Sequence, residues 1–129
     1  MKSIDAKKSL EYKIAGSRKL PNDDELSEMF FEAMLYISNK CVPNELVRFG
    51  ESEDKVYRTI ENSFFICYPD KPKFDNELEH LMIDESLTYA VINYVAFLIT
   101  KEMAYMQIAN ELIGDFVAND GKDMAEWMS

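Results

Sequence analysis

The chain has 129 residues, of which 47% are hydrophobic and 29% charged, and its formal net charge is −10. These proportions are typical of one globular domain with a single packed core, and they exclude a largely disordered chain. A body this acidic repels the phosphate backbone, which argues against nucleic-acid binding over most of its surface.

Residues 1–20 differ in charge from the rest of the chain. Six basic side chains stand there against Asp5 and Glu11, a balance of +4 that leaves −14 for the other 109 residues. Their apolar residues have weak periodicity, and Gly16 interrupts any helix. We therefore predict a basic extended N-terminal arm that orders on a partner, a frayed terminus being the alternative. The cations of this arm are Lys2, Lys7, Lys8, Lys13, Arg18 and Lys19.

The first clear helical pattern begins at Asn22, a good N-cap residue, and three acidic residues after it suit the positive end of the helix dipole. Apolar residues recur at spacings of three and four over residues 26–41, which predicts one buried helix face. Pro43 predicts that this helix ends near residue 41. A short turn of helix over residues 44–49, ended by Gly50, is also predicted.

The middle of the chain is rich in β-branched and aromatic residues. Residues 56–60 and 63–68 predict a β-hairpin, preceded by a solvated loop over residues 51–55. The second strand is apolar on both faces, and one hairpin on so small a domain can hardly cover both. Either a helix covers one face and a partner the other, or the strand edge pairs with another chain; burial of both faces within the monomer is the alternative. The predicted partner-binding residues are Phe64, Phe65, Ile66 and Tyr68.

The C-terminal half is helical in pattern. Asp84 is a good cap, and residues 87–99 are apolar nearly all round, as in the central helix of a bundle. A second stretch over residues 105–116 has one apolar side, and we predict a break between the two near residues 100–103. No stretch is long and apolar enough to span a membrane. With no secretory signal at residues 1–9 either, we expect the protein to be cytoplasmic when made.

Residues 121–129 form a short tail with a single tryptophan. Such a large apolar group predicts an anchor, with Trp127 and Met128 binding a neighbouring subunit or, alternatively, the tail's own domain. The predicted fold is therefore mostly α: residues 21–120 form a small helical bundle with an inserted β-hairpin at about residues 56–68. Extended arms over residues 1–20 and 121–129 flank this domain.

The chain lacks the motifs of catalysis and cofactor binding. His80 is the one histidine, and no nucleophile turn or glycine-rich phosphate loop is present. Cys41 and Cys67 lie in apolar contexts without metal-like spacing, so we interpret them as small buried hydrophobic residues. We expect no enzymatic activity, no metal, no cofactor and no small-molecule substrate.

Two segments carry a family resemblance: Leu20-Pro21-Asn22-Asp23-Asp24-Glu25-Leu26 and Ile83-Asp84-Glu85-Ser86-Leu87-Thr88-Tyr89-Ala90-Val91-Ile92-Asn93-Tyr94-Val95. With the strand-rich middle between them, the chain resembles the head-to-tail connector (adaptor) proteins of tailed bacteriophages over roughly residues 20–118. The resemblance implies a homo-oligomeric ring at the head-tail junction of the virion, assembled in the host cytoplasm. Its partners would be the portal protein and tail proteins, and no membrane would be involved. DNA would pass through the ring without sequence-specific binding.

Two other classes of function remain open at this point. An acidic inhibitor or DNA mimic would use carboxylates to occupy a host nucleic-acid-binding protein, and it would need them on one exposed face. A small regulatory or chaperone-like helical protein is the third possibility, which a homodimer in solution would favour.

Overall fold

The computed structural model describes residues 1–16, 18–50 and 55–119. Its four helices are α1 (Ser3–Ile14), α2 (Asp23–Lys40), α3 (Thr88–Thr100) and α4 (Met103–Asn119). Three short strands lie between α2 and α3, namely β1 (Val47–Phe49), β2 (Val56–Thr59) and β3 (Phe64–Cys67). Turns of 3-10 helix precede β1 at Asn44–Leu46 and α3 at Glu85–Leu87. The predicted mostly α fold with an inserted hairpin is confirmed.

The centre of the bundle is α3. Ten of its 13 residues are buried, because α1, α2 and α4 all pack against it. The apolar residues that fall outside the main stripe, such as Ile92 and Ile99, are buried by these additional neighbours. A helix that is apolar all round is thus satisfied within one chain, as the pattern predicts.

The second helix forms as its sequence predicts. The Asn22 side chain accepts a hydrogen bond of 2.9 Å from the Glu25 amide, which satisfies one of the free donors of the first turn. Its buried stripe contains Leu26, Phe30, Ala33, Met34 and Ile37. The helix ends at Lys40, because Cys41 adopts an extended conformation two residues before Pro43.

The prediction of an extended N-terminal arm is wrong. Residues 3–14 form α1, which packs on α3 and buries Ser3, Ala6, Leu10 and Ile14. This stripe has one residue per turn and begins with two small side chains, so its periodicity is weak in the sequence although it is sufficient to face a helix that is apolar all round. Gly16, with φ +86°, follows the helix and does not interrupt it.

Backbone hydrogen bonds tie the start of α1 to the segment before α3. The Ser3 amide donates to the Glu79 carbonyl and the Leu81 amide donates to the Met1 carbonyl, each at 2.9 Å. Residues 1–3 and 79–81 therefore pair as two short antiparallel segments, with Lys2 opposite His80. This pairing places the first residues of the chain inside the fold.

The strands form one antiparallel sheet in the order β1-β3-β2. β2 and β3 are the predicted hairpin, and positive φ values at Asn62 and Ser63 fit the type I′ turn that two-residue hairpins favour. The prediction of a helical turn over residues 44–49 is correct only for the first three of them. β1 is a strand because Val47 pairs with Ile66 and Phe49 with Phe64 across the sheet.

The break between the last two helices is confirmed. Lys101 adopts the left-handed conformation with φ 63°, and its amide donates to the Phe97 carbonyl at 2.7 Å. The Glu102 amide then donates to the Thr100 hydroxyl at 3.2 Å, which begins the turn into α4. This closure lets α4 fold back onto α3.

Two predicted segments, the loop at residues 51–54 and the tail with Trp127 and Met128, lie outside the described residues. Within the described ranges, no helix has the length and apolar content needed to cross a membrane.

Candidate protein-binding surfaces

The four residues predicted to bind a partner through the hairpin are not all on the surface. Phe65 and Ile66 are buried, with Ile66 fully so, in a second small core with Leu46 and Cys67. Because β3 is the central strand, β1 and β2 occupy both of its edges, so the predicted pairing of that edge with another chain is wrong. The prediction that Phe65 and Ile66 contact a partner is also wrong, since the monomer buries both side chains.

Phe64 and Tyr68 do reach the surface, at opposite ends of β3. Phe64 is half-buried, and its ring centroid lies 5.1 Å from that of Phe49, which is 72% exposed. Phe49 is the more prominent surface residue, yet the sequence interpretation missed it because a three-residue strand is too short to show a period-two pattern. The pair forms an aromatic patch at one end of the sheet.

Tyr68 belongs to an aromatic cluster that joins the sheet to α2. Its ring stacks on Phe31 with centroids 6.4 Å apart and meets the Tyr57 ring edge-on at 5.3 Å. Lys71 lies over Phe31, with its Nζ 5.4 Å from the ring centroid, and forms an ion pair with Glu28 at 2.5 Å. These contacts hold Tyr68 in place while it remains 42% exposed.

The six cations predicted for the N-terminal arm do not form one surface. Lys7 pairs with Asp23 at 2.8 Å, and Lys13 lies over the Tyr105 ring, whose hydroxyl donates to the Lys13 carbonyl at 3.4 Å. Lys2, just before α1, and Lys8, within α1, are both exposed. Two of the six therefore serve contacts within the monomer.

Arg18 and Lys19, the remaining two, lie beside a groove of about 420 Å³ where α1 leads into α2. Both residues are exposed, and neither side chain forms an ion pair with any residue that the structure describes. The apolar lining of this α1–α2 groove consists of Ile14, Ala15, Leu20 and Pro21. Lys7 and the exposed Glu11 also line it. The groove thus combines an apolar floor with a rim on which cations outnumber the one carboxylate.

The outer face of α4 has the opposite charge. Only Ala109, Ile113 and Phe116 of its 17 residues are buried, and no lysine or arginine occurs between residues 103 and 119. Glu111 and Asp115 are exposed there. The exposed apolar side chains of this helix are Met103, Ile108 and Val117, which are 56%, 40% and 47% exposed.

Asp84, predicted as a helix cap, serves a different element. Its carboxylate accepts hydrogen bonds from the Asn44 amide at 2.9 Å, the Asn44 side-chain nitrogen at 3.0 Å and the Glu45 amide at 2.7 Å. It therefore caps the 3-10 turn before β1 and joins that turn to the start of α3. Burial and the nearby charge of Asp84 raise the pKa of Glu45. Asp84 and Glu45 therefore lie together because Asp84 holds the turn before β1, and this structural role explains the pair.

The two cysteines are also in structural positions. The Cys41 thiol donates to the Ile37 carbonyl, and burial, followed by the charge of Asp84, raises the pKa of Cys41 to about 12. A buried, protonated thiol is a poor nucleophile. Cys67 is likewise free and buried, so the two cysteines agree with their interpretation as small core residues. Among the described residues, no group of His, Cys, Asp and Glu is arranged to hold a metal ion.

Comparison with known proteins gives no relative: no family model, curated protein or solved structure matches the chain.

Proposed function

We propose that the protein is a structural virion protein, a head-to-tail connector (adaptor) subunit whose ring joins the portal to the tail around the DNA channel. The observation that carries this proposal is the distribution of unlike surfaces over one small fold. A basic apolar groove, an acidic helix face and an aromatic sheet end each lie on a different element. A subunit with several unlike surfaces is suited to contact several neighbours at once.

The exposed apolar side chains support binding to other proteins. Phe49 and Tyr68 on the sheet side of the molecule are 72% and 42% exposed, although both are large aromatic residues. Apolar groups that stay on the surface mark interaction sites when they lie in patches, as Phe49 and Phe64 do. We infer that neighbouring subunits, the portal and tail proteins cover these groups in the assembly.

Unlike surfaces also favour a ring over a symmetric pair. In a two-fold dimer the same patch meets itself, whereas a closed ring joins two different patches of identical subunits. Two copies of the acidic α4 face would repel each other, and so would two copies of the basic groove rim. Charge therefore favours contacts between different faces.

The outer face of α4 suits the wall of a DNA channel. It carries Glu111 and Asp115 and no cation along the whole helix. Phosphate groups bind through Lys and Arg with release of counterions, and a wall without those residues holds DNA weakly. This face would let DNA slide past without sequence-specific binding.

One observation favours the rival function of a DNA mimic. Asp24, Glu28 and Glu32 are exposed on α2 at intervals of one turn, about 6 Å apart along the helix axis. Lys71, however, neutralises Glu28 through its ion pair. One of three regularly spaced charges is therefore already compensated within the monomer, which makes this row a weaker imitation of a phosphate backbone.

The test is quantitative mass spectrometry of purified phage particles from the source. The connector function predicts that this protein is present in a fixed copy number of the same order as the portal subunits. Its absence from intact particles would refute the proposal. In that case, capture of a host nucleic-acid-binding protein by the wild-type chain, lost on replacing Asp24 and Glu32 by Asn and Gln, would support the mimic.

A further inference from the structure

We propose that residues 120–128 of one copy bind the α1–α2 groove of a second copy. This inference rests on the proposed ring and identifies one contact between its subunits. It uses two features that the proposed function leaves unassigned, namely the basic groove beside Arg18 and Lys19 and the amphipathic tail that contains the single tryptophan.

The tail sequence has both an apolar side and a net negative charge. Residues 120–128 lie outside the described part of the chain, but the spacing of Met124, Trp127 and Met128 is that of one helix face. Three acidic residues accompany Lys122 in the same segment, namely Asp120, Asp123 and Glu126. A segment with these properties is complementary to an apolar groove with a basic rim.

The α1–α2 groove has that character. Its floor is apolar, and its volume of about 420 Å³ is within the range of pockets that bury an aromatic side chain. Lys7 and Glu11 also line the groove, and Lys7 is already paired with Asp23. Arg18 and Lys19 therefore outnumber the single carboxylate Glu11 and can meet the carboxylates of the tail. A guanidinium beside a tryptophan ring adds a cation–π contact. Trp127 would therefore enter the groove with Asp123 and Glu126 at its rim.

A tail in helical form is too short to reach the α1–α2 groove of its own chain, which is why we assign the groove to a second copy. Tyr105 contacts Lys13 near the groove, whereas Asn119, where the tail leaves α4, is about 21 Å further along the helix axis. A helical tail places Met128 only about 14 Å beyond Asn119. An extended tail reaches about 30 Å, but it turns Trp127 and Met128 to opposite sides and loses the shared apolar face.

The groove and the origin of the tail lie at opposite ends of the bundle. α1 ends beside the start of α4, while α4 ends toward the 3-10 turn Glu85–Leu87. The amino group of Met1 pairs with Glu85, which places the start of α1 at that same end. A contact between the tail end of one copy and the groove end of the next joins two different surfaces and is therefore heterologous. Such a contact can repeat from subunit to subunit and close a ring.

The first experiment measures binding of a fluorescein-labelled peptide of residues 119–129 by fluorescence anisotropy. The receptor is the full chain carrying Trp127→Ala and Met128→Ala, which leaves its groove free. We expect saturable binding that weakens at least about tenfold when Arg18→Glu and Lys19→Glu are added. The matched control, Lys2→Glu with Lys55→Glu, makes the same change in net charge away from the groove, because Lys2 is exposed at the opposite end of α1. It should leave affinity within about twofold. Absence of binding, or equal loss in both variants, would overturn the proposal.

A charge exchange separates the groove contact from a loss of folding. A peptide with Asp123→Lys and Glu126→Lys should bind the Arg18→Glu, Lys19→Glu chain and bind the unmodified groove at least about tenfold more weakly. Failure of this exchange to restore binding would refute direct contact between these residues.

The single tryptophan distinguishes a second copy from the same chain. Trp127 fluorescence of the wild-type protein should shift to shorter wavelength as protein concentration rises, and Arg18→Glu with Lys19→Glu should abolish the shift. An emission maximum that is independent of concentration but sensitive to those two substitutions would place the tail in its own groove and refute the second copy as its occupant.

This contact and the connector function fail in different ways. If the peptide does not bind but the protein is present in particles at ring copy number, the groove contact is refuted and the function stands. If the peptide binds as expected but the protein is absent from particles, the contact stands and the connector function is refuted.

Discussion

The two C-terminal helices are both rich in apolar residues, 10 of 13 in α3 and 11 of 17 in α4, but their environments differ more than this composition does. Ten of 13 residues are buried in α3, whereas three of 17 are buried in α4. The difference arises because three helices surround α3, while α4 is covered mainly on the side that faces α3. Apolar residues in α3 therefore maintain the fold, whereas several of those in α4, such as Ile108 and Val117, remain exposed at the surface.

The largest expected effect distinguishes these two helices directly. Ile92→Ala in α3 removes a fully buried side chain, and we expect a loss of about 3 kcal/mol in the free energy of unfolding. Ile108→Ala in α4 removes a side chain that is 40% exposed and should cost less than about 1 kcal/mol. Urea denaturation followed by far-UV circular dichroism measures both. Equal losses would contradict the assignment of α4 to the surface.

A smaller effect is expected where α3 is tied to the sheet. Asp84→Ala leaves the amides of Asn44 and Glu45 without their acceptor, which should lower the free energy of unfolding by about 2 kcal/mol. The exposed Glu77→Ala is the control and should change stability by less than about 0.5 kcal/mol. If Asp84→Ala were as mild as the control, the carboxylate would not be needed to hold the turn before β1.

The junction between α3 and α4 allows a stabilising substitution. Lys101 has a positive φ that glycine adopts without steric cost, so Lys101→Gly should raise the free energy of unfolding by about 0.5–1 kcal/mol. Lys40→Gly, in the last turn of α2, should lower it by a similar amount because its backbone is helical. Thermal unfolding of both variants gives the signs, and destabilisation by Lys101→Gly would contradict the left-handed conformation.

At neutral pH the smallest effect on stability is expected from the ionisation of Cys41, because it acts only under alkaline conditions. Its folded pKa of about 12 exceeds the ordinary value of 9.0, so the folded state holds the proton more tightly than the unfolded state. This contribution is complete below pH 9.0 and is lost as pH rises from there through about 12. Burial, the charge of Glu32 and then Tyr36 raise the pKa of Tyr94, which acts in the same direction at alkaline pH.

Thiol labelling tests the environment of Cys41. In a Cys67→Ser variant at about pH 8, native Cys41 should have about a thousandfold less thiolate than the unfolded chain and react correspondingly slowly. The Cys41→Ala variant should lose part of the alkaline decline in stability. Rapid native labelling would show that the thiol is accessible and ionised.

Local patterns were sufficient to predict much of the fold. Asn22 caps α2 as expected, the hairpin forms where β-branched and aromatic residues recur, and the chain breaks at Lys101. In each case the determining interactions lie within a few residues along the chain. The sequence also predicts that α3 is central, because an apolar surface on every side requires several neighbours.

Elements that depend on distant residues were not predicted. α1 owes its helical state to packing on α3, more than 70 residues away, and β1 owes its extended state to pairing with β3. The burial of Ile66 has the same cause, since β1 and Leu46 complete a core that the hairpin cannot form alone. Of the predicted surface residues, Phe64 and Tyr68 are accessible. The predicted basic arm is instead a helix, α1, followed by two cations, Arg18 and Lys19, that border a groove.

The position of α3 near the end of the sequence has a consequence for synthesis. The ribosome releases α1 and α2 well before the helix against which both pack, so their apolar stripes lack their main partner until translation passes Thr100. The nascent chain consequently holds side chains such as Leu10 and Phe30 in water or against other proteins during that interval. A ribosome that stalls before residue 88 would hold an N-terminal half that cannot complete its core.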